Sequence, residues 1–302
     1  MIMNVGVIGT PNRDKLILTS GAKVTAWGGI VYNILTMAHY LRPGDAVLPI
    51  CPVGADARDD FQSLLEKFPN VDPSGIYQAA QRQNRVILKC ITHDEKEETA
   101  ELSLPPLPFD HISKHLSNLS FLLINFTSGR DLEKETLRRV RDEYKGPILL
   151  DVHSLTLSEP DSRGKRRLRA LRDWQEWLEG MDYVQFTWNE AASLTGETNT
   201  TFAGLVEVAD WLLERGTKGV IVTRGSEGAY YFHVDEQGIL KEEIPPFKLH
   251  TVIDTTGCGD VFSAAFICNL LKDNDPLGAV QFAVKAAALK ATFSGIGPWL
   301  SG

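Results

Sequence analysis

The sequence predicts an α/β protein: a three-layer α/β/α sandwich on a mainly parallel central sheet, with a small β-strand lid. Three observations carry this. Short runs rich in Val, Ile and Leu recur along the 302 residues, helical patterns separate them, and two half-polar extended stretches interrupt the succession. An apolar run without polar alternation is a strand buried on both faces, and such strands alternating with helices make βαβ units.

The runs come in order. Val5–Ile8 is the first, and residues 15–27 (Lys15-Leu-Ile-Leu-Thr to Ala26-Trp27) are the first half-polar stretch. Ala46–Leu48 is the next buried strand. Residues 84–104 follow as a second half-polar stretch, with a charged turn at Asp94–Glu98. Strands with one wet face suit a separate small sheet, so these two stretches form the predicted lid. Phe121–Ile124 and Ile148–Leu150 flank a helix marked by Leu132, Leu137 and Val140 and stopped before Gly146. Leu168, Leu171, Trp174 and Leu178 predict an amphipathic surface helix over the basic run Arg163–Arg169. Tyr183–Phe186 and Val220–Val222 enclose a helix at Leu205, Val208, Ala209, Leu212 and Leu213, with Gly216 where a C-cap belongs. No repeat or long linker divides the chain, so one domain over 1–302 with its lid is expected.

Composition narrows the class. Hydrophobic residues are 43% and charged residues 23%, too apolar for disorder. The longest apolar run, Val261–Leu271, is too short to span a bilayer. The chain carries 31 Lys and Arg against 39 Asp and Glu, net −8, which argues against nucleic acid. Cys51, Cys90, Cys258 and Cys268 show no C-x-x-C spacing, so neither a disulfide framework nor a zinc ribbon is expected. No secretory pattern is present at Met1–Val5, and a reducing cytoplasmic location is the expectation. The N-x-[ST] matches at Asn118, Asn125 and Asn199 are then chance.

The most informative segment is Asp254-Thr-Thr-Gly-Cys-Gly-Asp260, leading into a helix that is apolar nearly all round. Two glycines let backbone approach a ligand, and the first N–H groups of a helix have no partner within it. That terminus is an anion pocket, and Asp260 beside it is placed to accept a proton. By itself the turn reads more readily as a glycine cap on a buried helix, with Asp260 an ordinary first-turn acid. A dinucleotide fingerprint is disfavoured because Phe262 stands where its third glycine belongs, and no Walker pattern occurs.

This segment resembles the C-terminal signature of the ribokinase-like (PfkB) carbohydrate kinases, and other motifs extend the resemblance in order over nearly the whole chain. Gly28-Gly-Ile-Val-Tyr-Asn33 is similar to the family's Gly-Gly-x-x-x-Asn, followed by Pro52-Val-Gly-Ala-Asp56. Asn12-Arg-Asp14 resembles its hydroxyl-binding polar pair, Glu190–Gly196 the end of its N-x-x-E segment, and Thr223–Gly228 its T-x-G-x-x-G turn.

The resemblance implies an ATP-dependent, Mg²⁺-requiring kinase acting on a hydroxyl of a sugar or sugar-like molecule. It makes Asp260 the general base and the backbone of Gly257, Cys258 and Gly259 the anion hole. Asp14, Gly29 and Asn33, with Asn12 and Thr127, would bind the acceptor. Thr223, Gly225 and Gly228 would contact ATP, with Val284 near the adenine and Thr187 on the nucleotide side. Glu190 would act on Mg²⁺ through water, and Asp254 and Thr256 match positions that in many members bind a monovalent cation, usually K⁺. The family has Asn three residues before the Glu, where this chain has Thr187. Only 13 residues separate Asp14 from Gly28, so the first lid arm is short, and monomer and homodimer both stay open. The alternatives are a nucleoside kinase of the same family, with Trp27 or Tyr32 stacking on the base, and a non-catalytic sensor on the same fold. Asp151 and His153 end a strand on the ligand side and receive no role.

Overall fold

In the computed structural model, which describes residues 2–91, 96–236 and 238–300, strand β1 (Asn4–Ile8) leads directly into an antiparallel pair, β2 (Pro11–Ile17) and β3 (Lys23–Gly29). Helix α1 (Val31–Tyr40), β4 (Ala46–Val53), α2 (Arg58–Leu65) and the short β5 (Ile76–Gln78) follow. Strands β6 (Arg85–Cys90) and β7 (Lys96–Glu101) precede α3 (Phe109–Leu116), β8 (Phe121–Asn125), α4 (Lys134–Glu143) and β9 (Ile148–Asp151). Next come α5 (Trp174–Leu178), β10 (Tyr183–Thr187), α6 (Trp188–Thr195), α7 (Phe202–Leu213) and β11 (Gly219–Thr223). A hairpin, β12 (Ala229–Asp235) and β13 (Gly238–Ile244), is followed by α8 (Cys258–Asp273), α9 (Pro276–Lys290) and α10 (Gly297–Leu300).

Over the described residues the main sheet has nine strands in the order β13-β12-β11-β10-β9-β8-β1-β4-β5. The predicted apolar runs are β1, β4, β8, β9, β10 and β11, and all of them pair in parallel. Side chains alternate between the faces of a strand, so each buried strand feeds two cores. Val5, Val7, Phe121 and Leu123 pack with α1, α8 and α9, whereas Ile8, Leu122, Ile124 and Leu150 pack with α4 and α7. That division makes the three layers.

The second sheet has four strands, β3-β2-β6-β7, and is the lid. The second arm falls within its predicted stretch, whereas the first overruns 15–27 at both ends, from Pro11 to Gly29. Asp94 and Glu95 of the predicted charged turn lie outside the described residues. Two readings are corrected. The β12–β13 hairpin was not expected; its outer strand alternates half-buried and exposed residues and reads as loop. The basic run is not part of a surface helix, because α5 begins only at Trp174. Instead the Arg166 guanidinium is buried and donates to the Ser128 and Ser158 carbonyls, each at 2.9 Å, and to Glu98 at 3.1 Å. An arginine that must satisfy its donors inside the protein holds its segment as a strap between lid and body. No helix among the described residues is long and apolar enough to cross a membrane.

Candidate active site

The parallel strands end side by side, and in such sheets the crevice beyond their carboxyl ends is where ligands bind. Register puts Asn125 next to Asp151, Asp151 next to Gln185, and Thr187 next to Thr223. The N-terminus of α8 is docked over this row. Asp260 sits in its first turn, 4% exposed, and its Oδ1 accepts a hydrogen bond from Asn125 Nδ2 at 2.7 Å. His153 Nε2 stands 4.0 Å from the same oxygen. Gln185 Nε2 donates to Asp151 Oδ2 at 2.9 Å and to the Gly259 carbonyl at 3.1 Å, tying helix to sheet.

The glycine turn is required by its surroundings. Gly257 is the N-cap of α8 with φ 81°, and a Cβ there would lie 2.6 Å from the Tyr32 ring. Gly259 is the opposite case: a Cβ built on it meets nothing within 4 Å, so this face of the first turn is open. The N–H groups of the first turn lack acceptors within the helix, which leaves a positive concavity beside Asp260. Cys258 opens that turn, its N–H directed at the Thr255 carbonyl at 3.3 Å.

Electrostatics sets the site apart. Burial pushes the Asp260 carboxyl up, while His153, the Asn125 hydrogen bond and Lys290 pull it back. Asp14 is pushed up to about 8 by burial and by the neighbouring Asp260 and Glu98. Burial also raises Asp151 and Glu190, and each of these acids feels further repulsion from Asp260. For His153 burial lowers the imidazole, but Asp260, Asp151 and Glu190 outweigh it and the net shift is upward. Acids crowded around one imidazole are a mark of a functional cleft.

Of the residues predicted to hold the acceptor, Asn12 and Asp14 fit. Both are 4% exposed, and each keeps a buried side-chain oxygen, Oδ1, without a hydrogen-bond partner. Asp14 lies on β2 over Gly28, where any Cβ would overlap its carboxylate. Gly29 ends β3 between them and α1. Asp14 also lines a cleft of about 1040 Å³ between the lid and residues 159–164, along with Arg85, Glu101, Arg130 and Arg163.

Asn33 and Thr127 are engaged within the protein. Asn33 is fully buried; its Nδ2 donates to the Asp260 carbonyl at 2.8 Å and to Ser263 Oγ at 3.1 Å, and its Oδ1 accepts from Asn125. It braces Asp260 from behind. Thr127 Oγ1 is engaged with both the N–H and the carbonyl of Thr10 and fixes the end of β1. The stacking role suggested for Trp27 and Tyr32 is also corrected. Trp27 is packed on Phe61 and covered by Arg13, and Tyr32 is 1% exposed beneath Gly257.

Of the residues expected to contact the nucleotide, Thr223 ends β11 and Gly225 opens a tight 3-10 turn closed by Gly228 at φ 88°. Val284 is on α9, 9% exposed, at the edge of the core. Thr187, where the family has Asn, caps α6. Its Oγ1 accepts from the Glu190 N–H at 3.2 Å, and Glu190 accepts from the Thr187 N–H at 2.8 Å, a reciprocal capping box. Asp254 is turned inward, accepting from the Thr256 N–H at 2.9 Å and Ser294 Oγ at 3.0 Å, with Lys290 beside it. Asn125, Gln185, His153 and Lys290 were missed. Their only sequence signal is position: Asn125 ends β8, His153 follows the end of β9, Gln185 lies within β10, and Lys290 ends α9.

Comparison with known proteins agrees with this architecture. The family model for pfkB family carbohydrate kinases matches residues 8–299. A Mycoplasma pneumoniae protein named "Putative 1-phosphofructokinase" is 41% identical over 284 residues, which cover 91% of this chain and 83% of that one. The Arabidopsis thaliana protein named ribokinase is 29% identical over 152 residues, covering 50% of this chain but only 36% of that one. The crystal structure of Thermotoga maritima ribokinase covers 100% of both chains with a TM-score of 0.73 at 21% identity, a likeness of fold.

Proposed function

The chain belongs to the pfkB family of carbohydrate kinases, and on that premise we propose that it transfers the γ-phosphoryl group of ATP to a hydroxyl of a sugar or sugar phosphate, with Asp260 as the base. Residues 1–302 act as one domain in this reading, with the lid closing over the acceptor. The observation that carries it is the pairing of Asp260 with Asn125 beside the open first turn of α8.

Asp260 accepts the proton of the acceptor hydroxyl as that oxygen forms its bond to the γ-phosphorus and ADP leaves. A buried carboxyl raised from its ordinary value is the stronger base, and His153 and Asn125 keep it ionised and aimed. The first-turn backbone, Gly257 to Gly259, faces the charge that develops on the transferring group. Asn12 and Asp14 fit hydroxyls, because their unpartnered oxygens need donors. The Thr223–Gly228 turn suits the nucleotide, as short glycine turns let phosphates or ribose approach the backbone.

The fit of Mg²⁺ is supported by buried Asp151 and half-buried Glu190: desolvation raises both carboxyls, Glu190 raises Asp151 further, and a nearby cation would relieve them. Among the described residues no three acidic, His or Cys side chains converge on one point, so water and phosphate oxygens would complete its shell. When bound, the ion supplies charge neutralisation to the phosphates.

A sugar is favoured over a nucleoside because Trp27 and Tyr32 are buried. Fructose 1-phosphate heads the list of acceptors to try, from the name of the 41% identical relative and from the arginines lining the cleft. The test measures ADP release with Mg-ATP over fructose 1-phosphate, other sugar phosphates, free sugars and nucleosides, with Asp260→Asn alongside. Turnover on a sugar class, lost by a factor of roughly 10² or more in the variant, supports the reading. An undiminished rate in Asp260→Asn sinks the assignment of the base. Nucleotide binding with no turnover on any acceptor points to a sensor instead.

A further inference from the structure

A monovalent cation at Asp254 and Thr256, implied by the family resemblance, does not fit this chain. Lys290, the last residue of α9, is 1% exposed. Its Nζ donates to the Phe293 carbonyl at 3.1 Å and to the Asp254 carbonyl at 3.3 Å, and lies 3.9 Å from Asp254 Oδ2. The rings of Phe293 and Tyr32 stand 5.1 and 5.5 Å away. A buried ammonium persists only where oxygens satisfy its donors. Here those oxygens are two main-chain carbonyls and a carboxylate, the donor set that a desolvated potassium ion would seek. A second cation among them would meet a fixed positive charge at the same ligands.

The position explains what that charge does. Asp254 lies three residues before Gly257, and its carboxylate fixes Thr256 and Ser294. Main-chain bonds from Ile253 and Asp254 to the Ala291 carbonyl, at 2.7 and 3.2 Å, join the same two segments. The ammonium therefore clamps the strand of chain entering the anion hole to the C-terminal end of α9. The Tyr32 ring, against which Gly257 rests, is the floor between them.

We propose that Lys290 is a tethered monovalent cation that positions the Gly257–Asp260 turn, making the reaction independent of potassium. Lys290 touches neither phosphate nor acceptor; it acts through the Asp254–Thr256 loop. Its charge also pulls the Asp260 carboxyl down. The activity arm of the test rests on the proposed kinase reading, and the stability arm does not.

Melting temperature and initial rate are measured in K⁺, Na⁺ and tetramethylammonium chlorides at equal ionic strength. For the wild-type chain both are the same in all three salts, the rates agreeing within about twofold. Lys290→Ala, which opens the ammonium's place, loses roughly tenfold or more of its kcat in tetramethylammonium. Potassium or ammonium ions restore kcat along a saturable curve and raise its melting temperature. Lys290→Met, which fills the place without charge, is slow in every salt. A wild-type rate or melting temperature that rises specifically with K⁺ overturns the proposal. So does Lys290→Ala running at the wild-type rate in tetramethylammonium. If neither variant folds, the wild-type comparison between salts decides alone. If no acceptor gives turnover, the kinase reading fails, while a K⁺-specific rise in melting temperature confined to Lys290→Ala still supports the tethered cation.

Discussion

The side-chain amide of Asn125 bridges Asp260 and Asn33, donating to Asp260 Oδ1 at 2.7 Å and to Asn33 Oδ1 at 3.0 Å. Both of its protons are thereby engaged, and the amide cannot turn without breaking one bond. Asn33 in turn holds the Asp260 carbonyl, so Asp260 is gripped at both main chain and side chain. Truncation to Asn125→Ala removes a bond that holds the Asp260 carboxyl down. A hydrogen bond to a charged group is worth about 1.5–3 kcal/mol, so kcat/KM should fall roughly 10- to 100-fold. The acid limb of its pH profile should also move upward. A variant with an unshifted limb would show that the bridge is only structural.

His153 gives a second handle on the same carboxylate. It carries φ 39°, a conformation asparagine tolerates, so His153→Asn keeps the backbone and removes the ring. The imidazole lowers the Asp260 carboxyl; without it that carboxyl rises and more acid pH finds it protonated. The expected result is an acid limb displaced to higher pH, with a melting temperature close to wild type. Loss of activity at every pH with an unchanged limb would assign His153 another role.

These two residues also mark where sequence reasoning stops. Parallel strands were legible because Val5–Ile8 or Phe121–Ile124 bury both faces and leave an unbroken apolar run. The glycine turn was legible because Gly257 and Gly259 bracket a helix start. Asn125 was not, since its partner Asp260 is 135 residues away and an Asn at a strand end has no pattern of its own. Asn33 was assigned to the acceptor through the Gly-Gly-x-x-x-Asn resemblance, and no sequence pattern shows that its amide is fully buried and paired with Asp260, Ser263 and Asn125. Arg166 was lost in a basic run, where Lys165 and Arg167 on either side are exposed and nothing in the spacing singles out the one that turns inward.

Asp14 supplies a test of stability against pH. Its carboxyl is raised from 3.8 to about 8 in the folded chain. Between those values the folded state holds a proton that the unfolded state has released. Stability is therefore fully present below the unfolded value and is lost as pH rises through the window, by at most about 1.4 kcal/mol per pH unit. Asp14→Asn is neutral throughout and lacks that slope. Its melting temperature should match wild type near pH 4 and exceed it by roughly 2 °C or more at pH 8.5. The same substitution should raise KM for the acceptor about tenfold, a hydrogen-bond effect, with kcat less affected. Parallel melting curves from pH 4 to 9 would mean that Asp14 is ionised in the folded protein.

The two glycines at the start of α8 separate stability from the proposed catalysis. Gly257→Ala forces an alanine to φ 81° and drives its methyl to 2.6 Å from Tyr32, a ring with 1% exposure and no room to yield. Strain and overpacking together cost about 2–4 kcal/mol, so the melting temperature should fall by roughly 5–10 °C. Gly259→Ala meets no atom within 4 Å and sits in the first turn of a helix, where alanine is favoured over glycine by about 0.5–1 kcal/mol. That variant should melt at or slightly above the wild-type temperature. Its methyl nevertheless projects into the open space beside Asp260 where the transferring phosphoryl group would stand. A stable Gly259→Ala with kcat reduced tenfold or more is therefore the expected outcome, read by thermal melting and ADP release on one preparation. Full turnover in that stable variant would move the phosphoryl site away from the first turn of α8.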